Sequence, residues 1–255
     1  MKTLITKELK NFLLSPIGLV LVSFYLLTNS LILVYFETTY SLVKTNLIDI
    51  NSFFELTPWI LIIIIPSICM RTFSEEISSG TIEILITKPV SLKTILLSKY
   101  FSTQLIIILC FLFCFPYFLF INDLIDSDSS LDIRVVFFGF ISLILLSSVF
   151  IFISIYVSSK FKSQFNVFLI SFLLCLFDYY IINIISEYID NISLYNFINN
   201  IGVQIHYQRL SVGIINIYDI TYFILNIILF YFLGLKSISK IRWKKQIYIY
   251  YLLFF

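Results

Sequence analysis

Cysteine and histidine are the residue types here that could bind a transition metal, but their spacing does not form a metal site. Cys69, Cys110, Cys114 and Cys175 all lie within apolar runs, and His206 is the one histidine. Cys110 and Cys114 would share a helix face, yet no second Cys/His pair completes a tetrahedral set. We therefore expect the thiols to be small apolar side chains and His206 to be a polar anchor at the membrane interface.

Four aspartates between positions 123 and 132 are the other group that could do chemistry. Asp123, Asp126, Asp128 and Asp132 superficially resemble the metal-diphosphate motifs of membrane prenyltransferases. Three serines lie among them, as in a solvated turn, and no second acidic motif accompanies the cluster. A membrane enzyme would need carboxylates or histidines that converge on one side. We interpret the cluster as a loop that helps to set topology.

Two further observations bear on chemistry: one acid lies within an apolar run, and a phosphate-binding loop motif is missing. Asp178 lies within an apolar run, where an ionisable side chain is costly and often functional. It is expected to face a transport pathway or a seam between subunits, unless it is paired or protonated. The chain has no GxxxxGK[ST] phosphate loop, so it is not expected to hydrolyse ATP by that route, and no cofactor is predicted.

The elements that position these residues must be membrane spans, because the composition excludes a soluble domain. Of 255 residues, 60% are hydrophobic and 13% are charged, whereas a soluble domain carries about 25% charged residues. Six apolar stretches approach the roughly 20 residues that cross a bilayer. They are residues 17–36, 56–70, 100–121, 135–158, 165–186 and 220–235. The sequence predicts an all-α, polytopic membrane protein with six transmembrane helices.

The basic residues are distributed unevenly between these spans. The segments on one predicted side hold Lys2, Lys7, Lys10, Arg71, Lys88, Lys93, Lys99, Lys160, Lys162, Lys236, Lys240, Arg242, Lys244 and Lys245. The opposite side has Lys44, Arg134 and Arg209 and most of the acids. Because Lys and Arg are enriched in cytoplasmic loops, both termini are predicted to be cytoplasmic in a bacterial inner membrane.

Four segments outside the spans divide this single transmembrane domain, residues 1–255. Residues 1–16 place apolar and basic side chains on different helical faces. This pattern predicts an N-terminal interfacial helix that ends at Ser15-Pro16. Residues 71–99 form the longest cytoplasmic segment. Residues 187–218 form an extracytoplasmic segment so apolar that it either re-enters the membrane or packs on the spans as short helices. Residues 236–255 form a basic cytoplasmic tail.

The segment 71–99 carries a family resemblance. It reads RTFSEEISSGTIEILITKPVS from Arg71 to Ser91, followed by ILLSK from Ile95 to Lys99. This pattern resembles the signature of ABC-2 type transporter permeases, and most of all the smaller membrane subunit of gliding motility-associated ABC transporters. Further similar stretches lie at 15–18, 53–59, 64–68, 206–207 and 219–223, so the resemblance covers nearly the whole chain.

The resemblance implies that a cytoplasmic coupling helix between spans two and three contacts an ATPase. The local residues fit such a helix over residues 81–88: Gly80 can end the preceding helix in a left-handed turn, Thr81 can cap a short helix, and Lys88-Pro89 can stop it. Ser91 can then cap the helix that leads into the third span. Ile82 and Leu85 would be its apolar contacts, and Glu83 suits its first turn. The alternative is an ordinary connector between spans. The predicted coupling residues are Arg71, Glu75, Glu76, Gly80, Thr81, Ile82, Glu83, Leu85, Lys88 and Pro89.

The resemblance also implies partners. One six-span chain would be one half of an exporter, working with a separate ABC ATPase subunit in the lipid bilayer. Its membrane partner would be a larger permease subunit with an extracytoplasmic domain, or a second copy of itself. No nucleic acid partner is expected. The alternative function is a non-transporting membrane scaffold of a motility or secretion machine.

Overall fold

A computed structural model describes residues 1–35, 51–83, 90–116 and 133–254. The described residues form helices and turns, with no strand among them. The helices are α1 Lys2–Leu13, α2 Pro16–Ser30, α3 Asn51–Cys69, α4 Ser74–Ser78, α5 Leu92–Phe113, α6 Ile133–Ser158, α7 Gln164–Leu176, α8 Ile182–Glu187, α9 Ile192–Asn199, α10 Val203–Ser211 and α11 Ile217–Phe254. Two π-helical segments, Leu31–Tyr35 and Phe177–Ile181, extend α2 and join α7 to α8.

Six helical stretches are long and apolar enough to cross a membrane, which confirms the predicted all-α, six-span architecture. They are Pro16–Leu33, Asn51–Ser78, Leu92–Phe113, Arg134–Ser158, Gln164–Glu187 and Ile217–Ile241. The second, third and fourth spans are mostly buried within the chain, whereas the first, fifth and sixth expose most of their surface. The core is therefore a three-helix centre, and the outer helices are more exposed.

The helix α6 is central to this core and packs against α3, α5, α7, α10 and α11. A small residue brings α3 close to it: a Cβ on Gly139 would lie 2.3 Å from the ring of Phe54. Polar side chains join α5 to α6, since Gln104 Nε2 donates to Ser147 Oγ over 2.9 Å. Small residues and interhelical hydrogen bonds are the usual means of packing membrane helices, because apolar burial gives little driving force in lipid.

The starts of two spans follow local capping rules. Ser15 accepts a hydrogen bond from the Gly18 amide over 3.0 Å, and Pro16 occupies the first helical position. Ser91 accepts from the Thr94 amide over 3.2 Å at the start of α5. Each serine satisfies an amide that the first turn would leave unpaired. The break predicted at Ser15-Pro16 and the cap predicted at Ser91 are both present.

Two segments outside the predicted spans, the basic tail and the apolar segment 187–218, contain regular helices. The predicted sixth span and the basic tail form one continuous helix, α11, because no glycine or proline follows Gly234 and Lys and Arg are good helix formers. The apolar segment 187–218 contains α9 and α10, and α10 packs against α6. One short helix of this segment, α10, is thus packed on the fourth span.

Candidate functional site

A buried lysine joins three helices at the end of the spans where α1 lies. Lys99, two turns into α5, is 1% exposed. Its Nζ lies 2.9 Å from Glu76 Oε1 on α4 and 3.4 Å from Glu8 Oε1 on α1. The ammonium also donates to the Thr72 carbonyl over 2.5 Å and lies 4.8 Å from the centre of the Phe73 ring. Two carboxylates, a carbonyl and an aromatic face thus compensate one desolvated charge.

The order of the chain explains how these groups meet. The helix α1 packs along α5, and a Cβ on Gly18 would lie 2.0 Å from the Phe12 carbonyl oxygen. This close approach folds α1 back at the start of the first span and brings Glu8 to Lys99. Glu8 was not predicted as a site residue. Its acidic side chain among the lysines of α1 was the available signal, and its partner is 91 residues away.

The turn between α3 and α4 is held by the end of the fourth span. Ser158 Oγ, at the last position of α6, accepts hydrogen bonds from the amides of Phe73 at 3.0 Å and Ser74 at 3.2 Å. These are amides at the start of α4 that the helix itself cannot pair. Ser158 was not predicted either, because a serine in an apolar span has no sequence signal for such a long-range cap. It fixes α4, and with it Glu76, against the core.

The predicted coupling helix, residues 81–88, would begin directly after the turn that follows α4. Gly80 has φ +73°, the left-handed turn expected at this position. Glu83 N donates to the Gly80 carbonyl over 3.1 Å, and the Ser79 and Thr81 hydroxyls are 2.9 Å apart. Ile82 is 5% exposed and belongs to the hydrophobic core, so it is held by this chain rather than presented to a partner. Leu85, Lys88 and Pro89 lie outside the described residues.

The two predicted acids before this segment behave differently. Glu76 pairs with Lys99, whereas Glu75 is exposed. Arg71 forms no ion pair with a described residue, and its buried Nε has no hydrogen-bond partner there. All three side chains line a cavity of about 690 Å³ between α1, α4 and the ends of the second and third spans.

A second polar cluster lies at the opposite end of the spans. His206 Nδ1 lies 2.5 Å from Asp219 Oδ1, and His206 Nε2 lies 3.0 Å from the Asn200 carbonyl. The Tyr222 ring stacks on the imidazole with centroids 4.1 Å apart, and Arg209 Nη1 is 3.7 Å from the same carboxylate oxygen. His206 is buried, so it links α10 to α11 inside the chain and is not the interfacial anchor that was expected.

The neighbouring Tyr207 ties this cluster to the second span. Its hydroxyl donates to the Phe54 carbonyl over 2.5 Å. Burial raises the pKa of Tyr207 well above its ordinary value, so the phenol stays neutral and keeps its donor proton. The carbonyl of Phe54 lies within a helix that contains Pro58, whose ring nitrogen cannot donate to it. Tyr207 therefore supplies the hydrogen bond that the proline omits.

Asp178 lies in the π-helical segment Phe177–Ile181 of the fifth span. Its Oδ2 is buried without a hydrogen-bond partner among the described residues, and Tyr222 is within electrostatic reach of it. Isolated π-helical turns within α-helices often occur at functional positions.

Metal-binding clusters were sought among the same residues. No group of three His, Cys, Asp or Glu side chains that could hold an ion occurs in the part of the chain that the structure describes. The four cysteines are free and buried. The aspartates between positions 123 and 132 lie outside the described residues.

Comparisons with known proteins agree with this architecture. No curated protein matches the chain. The model of the family described as ABC-2 family transporter protein matches residues 2–242, which include all six spans, the Lys99 cluster and the His206 cluster. Members of this family are multi-pass membrane subunits of transporters that work with an ABC ATPase. The chain belongs to the ABC-2 transporter family.

Proposed function

We propose that this chain is the permease subunit of an ABC-2 exporter, in which ATP hydrolysis by a separate ATPase subunit moves the spans. The observation that carries the proposal is the Lys99 cluster. It joins the N-terminal helix α1, the helix α4 and the third span at one point, directly before the segment that begins at Gly80. A displacement of that segment would reach two spans and α1 through one set of ion pairs.

The proposed ATPase contacts combine residues that are exposed in the structure with residues chosen from the sequence. Glu75, Thr81 and Glu83 are exposed and offer polar contacts, while Leu85, Lys88 and Pro89 are proposed from the sequence. Ile82 anchors the segment on the chain's own core. Glu76 and Gly80 are positioning residues in this scheme, because the ion pair with Lys99 holds α4 and the left-handed turn directs the chain out of it. Arg71 is proposed as a coupling residue from the sequence.

The proposed setting is the bacterial cytoplasmic membrane, with both termini on the cytoplasmic side. The Lys and Arg distribution supports this orientation. The membrane partner is proposed to be a larger permease subunit with an extracytoplasmic domain, or a second copy of this chain. The first, fifth and sixth spans expose most of their surface, which leaves faces available to such a partner as well as to lipid. Asp178 is proposed to lie near that seam or the pathway.

The link to gliding motility rests on the resemblance of residues 53–99 and is proposed on that ground. A non-transporting scaffold for motility or secretion would keep the same ATPase contacts. Two experiments distinguish these functions. Affinity purification of the tagged chain from its own membranes should recover an ABC ATPase, and the purified complex in liposomes should show ATP-dependent flux. Recovery of the ATPase without flux would favour the scaffold, and its absence from the purified material would contradict both.

A further inference from the structure

The cavity of about 690 Å³ beside α1 is lined by charged, hydroxyl-bearing and apolar side chains. Lys7, Lys10 and Arg71 line it together with several serine and threonine hydroxyls. Phe12 and Ile106 line it from the N-terminal helix and the third span. Ser102, Thr103 and Ile106 line it along about one turn of α5, and Ile106 lies 14 residues, or roughly 20 Å, from the start of that helix at Leu92. The cavity therefore extends from the charged side chains of α1 to an apolar part of the third span.

The charges in this cavity are not balanced within the chain. Two lining acids, Glu8 and Glu76, are already engaged by Lys99. Glu75 is the remaining lining carboxylate and is exposed. Lys7, Lys10 and Arg71 form no ion pair with a described residue, and together with Lys99 these four cations exceed the three carboxylates by one charge.

Arg71 is the most informative of these cations. It is partly buried, and its Nε has no hydrogen-bond partner while being shielded from solvent. That one N–H has lost its hydration without gaining an acceptor from the described residues, which is costly unless a ligand supplies one. Phosphate oxygens match its planar fork and can accept two parallel hydrogen bonds.

We propose that this cavity binds an anionic phospholipid, with the phosphate at Arg71 and the cations of α1 beside it. A free phosphate ion would contact the cations alone and would leave the apolar side chains of the cavity uncovered. The apolar lining formed by Phe12 and Ile106 favours a ligand that also carries an acyl chain. The bound lipid would rest against α1, which is tied to Lys99 through Glu8, so lipid composition would act on the helices that the proposed coupling segment follows.

The test measures lipid retained by the purified full chain in a mild detergent, by mass spectrometry of the intact complex. The probes are short-chain phosphatidylglycerol, short-chain phosphatidylcholine and inorganic phosphate. The anionic lipid should half-saturate the chain at a concentration about tenfold lower than the zwitterionic one. Arg71→Gln should weaken phosphatidylglycerol binding about tenfold or more, and Arg71→Lys should lie between Arg71→Gln and the unmodified chain.

The matched control is Lys93→Gln, which removes an exposed cation at the same end of α5 and should leave binding unchanged. Should Arg71→Gln not fold, the double variant Lys7→Gln/Lys10→Gln changes two exposed residues and should still weaken binding several-fold. Equal binding of both lipids, or unchanged binding in the Arg71→Gln variant, would overturn the proposal. Displacement of the lipid by inorganic phosphate at matching concentrations would also overturn it, since the site would then take the free ion.

Discussion

Lys99 is buried within the chain, where an uncompensated ammonium would carry a large free-energy cost. The chain compensates it with groups from three separate elements, and none of the three could do so alone. Glu76 holds the shorter ion pair, Glu8 the longer one, and Thr72 supplies a carbonyl. A buried ion pair adds little net stability compared with apolar packing, but its geometry specifies one arrangement. Lys99 is thus best understood as a residue that fixes how α1, α4 and α5 meet.

The first prediction removes this charge. Lys99→Met leaves Glu76, which is partly buried, without its partner, and should destabilise the chain by about 3–5 kcal/mol. Thermal unfolding of the detergent-solubilised chain measures the effect. Lys93→Met on the same helix is the control and should be nearly neutral, since Lys93 is exposed. Adding Glu76→Leu to Lys99→Met should recover part of the loss. Equal melting of the two single variants would show that the ion pairs have no structural role.

The second prediction concerns Gly139, where two effects oppose each other. Alanine in the interior of a helix is favoured over glycine by about 1 kcal/mol. Here its Cβ would lie 2.3 Å from the Phe54 ring, which is itself fully buried, and overpacking costs about 1–3 kcal/mol. We expect Gly139→Ala to lower the melting temperature and Gly139→Ala/Phe54→Leu to restore it. A more stable Gly139→Ala chain would mean that α3 and α6 separate easily.

At the scale of elements, local rules predicted some positions well. The starts of α2 and α5 at Ser15-Pro16 and Ser91, and the left-handed turn at Gly80, depend on a few adjacent residues. The Lys99–Glu8 contact spans 91 residues and the Phe73–Ser158 contact spans 85. Such pairs depend on which helices pack together, and one sequence does not specify that. The same reason explains why the apolar side chain of Ile82 was expected at a partner's surface and is buried in this chain.

The third prediction separates the two roles within the segment after Gly80. Leu85→Ala should weaken ATPase binding by about 1–3 kcal/mol, or roughly tenfold, as expected for one interface anchor. Glu83→Lys should also weaken it, because it reverses an exposed charge. Ile82→Ala removes a core side chain, so it should lower thermal stability by about 2–5 kcal/mol. Pull-down of the ATPase and a melting curve for each variant measure the two effects.

The control for this experiment is Lys162→Glu, an exposed charge reversal in the loop between α6 and α7. It should retain the ATPase, since that loop lies outside the proposed coupling segment. Tight ATPase binding by both Leu85→Ala and Glu83→Lys would contradict the assignment of residues 81–88 as the coupling helix. The family membership would stand in that case, and the ATPase contact would have to be sought elsewhere on the same end of the spans.

At the scale of the whole molecule, polar clusters at the two ends of the spans hold the core together. Lys99 joins α1, α4 and α5 at one end, and His206 with Asp219 joins α10 and α11 at the other. Composition alone predicted the six spans, because hydrocarbon thickness sets their length. The position of the clusters could not be predicted, since His206 and Asp219 become partners only when α10 folds back on α11. The inner and outer spans were likewise indistinguishable by hydropathy.

The fourth prediction assigns each end of the molecule to a side of the membrane. Asp190→Cys, at an exposed position before α9, should react with a membrane-impermeant maleimide added to intact cells. Ser78→Cys and Lys240→Cys should react only after the membrane is permeabilised. The native thiols give little background, because all four are buried. The physical reason is the excess of Lys and Arg at the end that holds α1 and α4. Labelling of Ser78→Cys in intact cells, with protection of Asp190→Cys, would invert the molecule. The coupling segment would then face away from the nucleotide supply, and the permease proposal would fail with it.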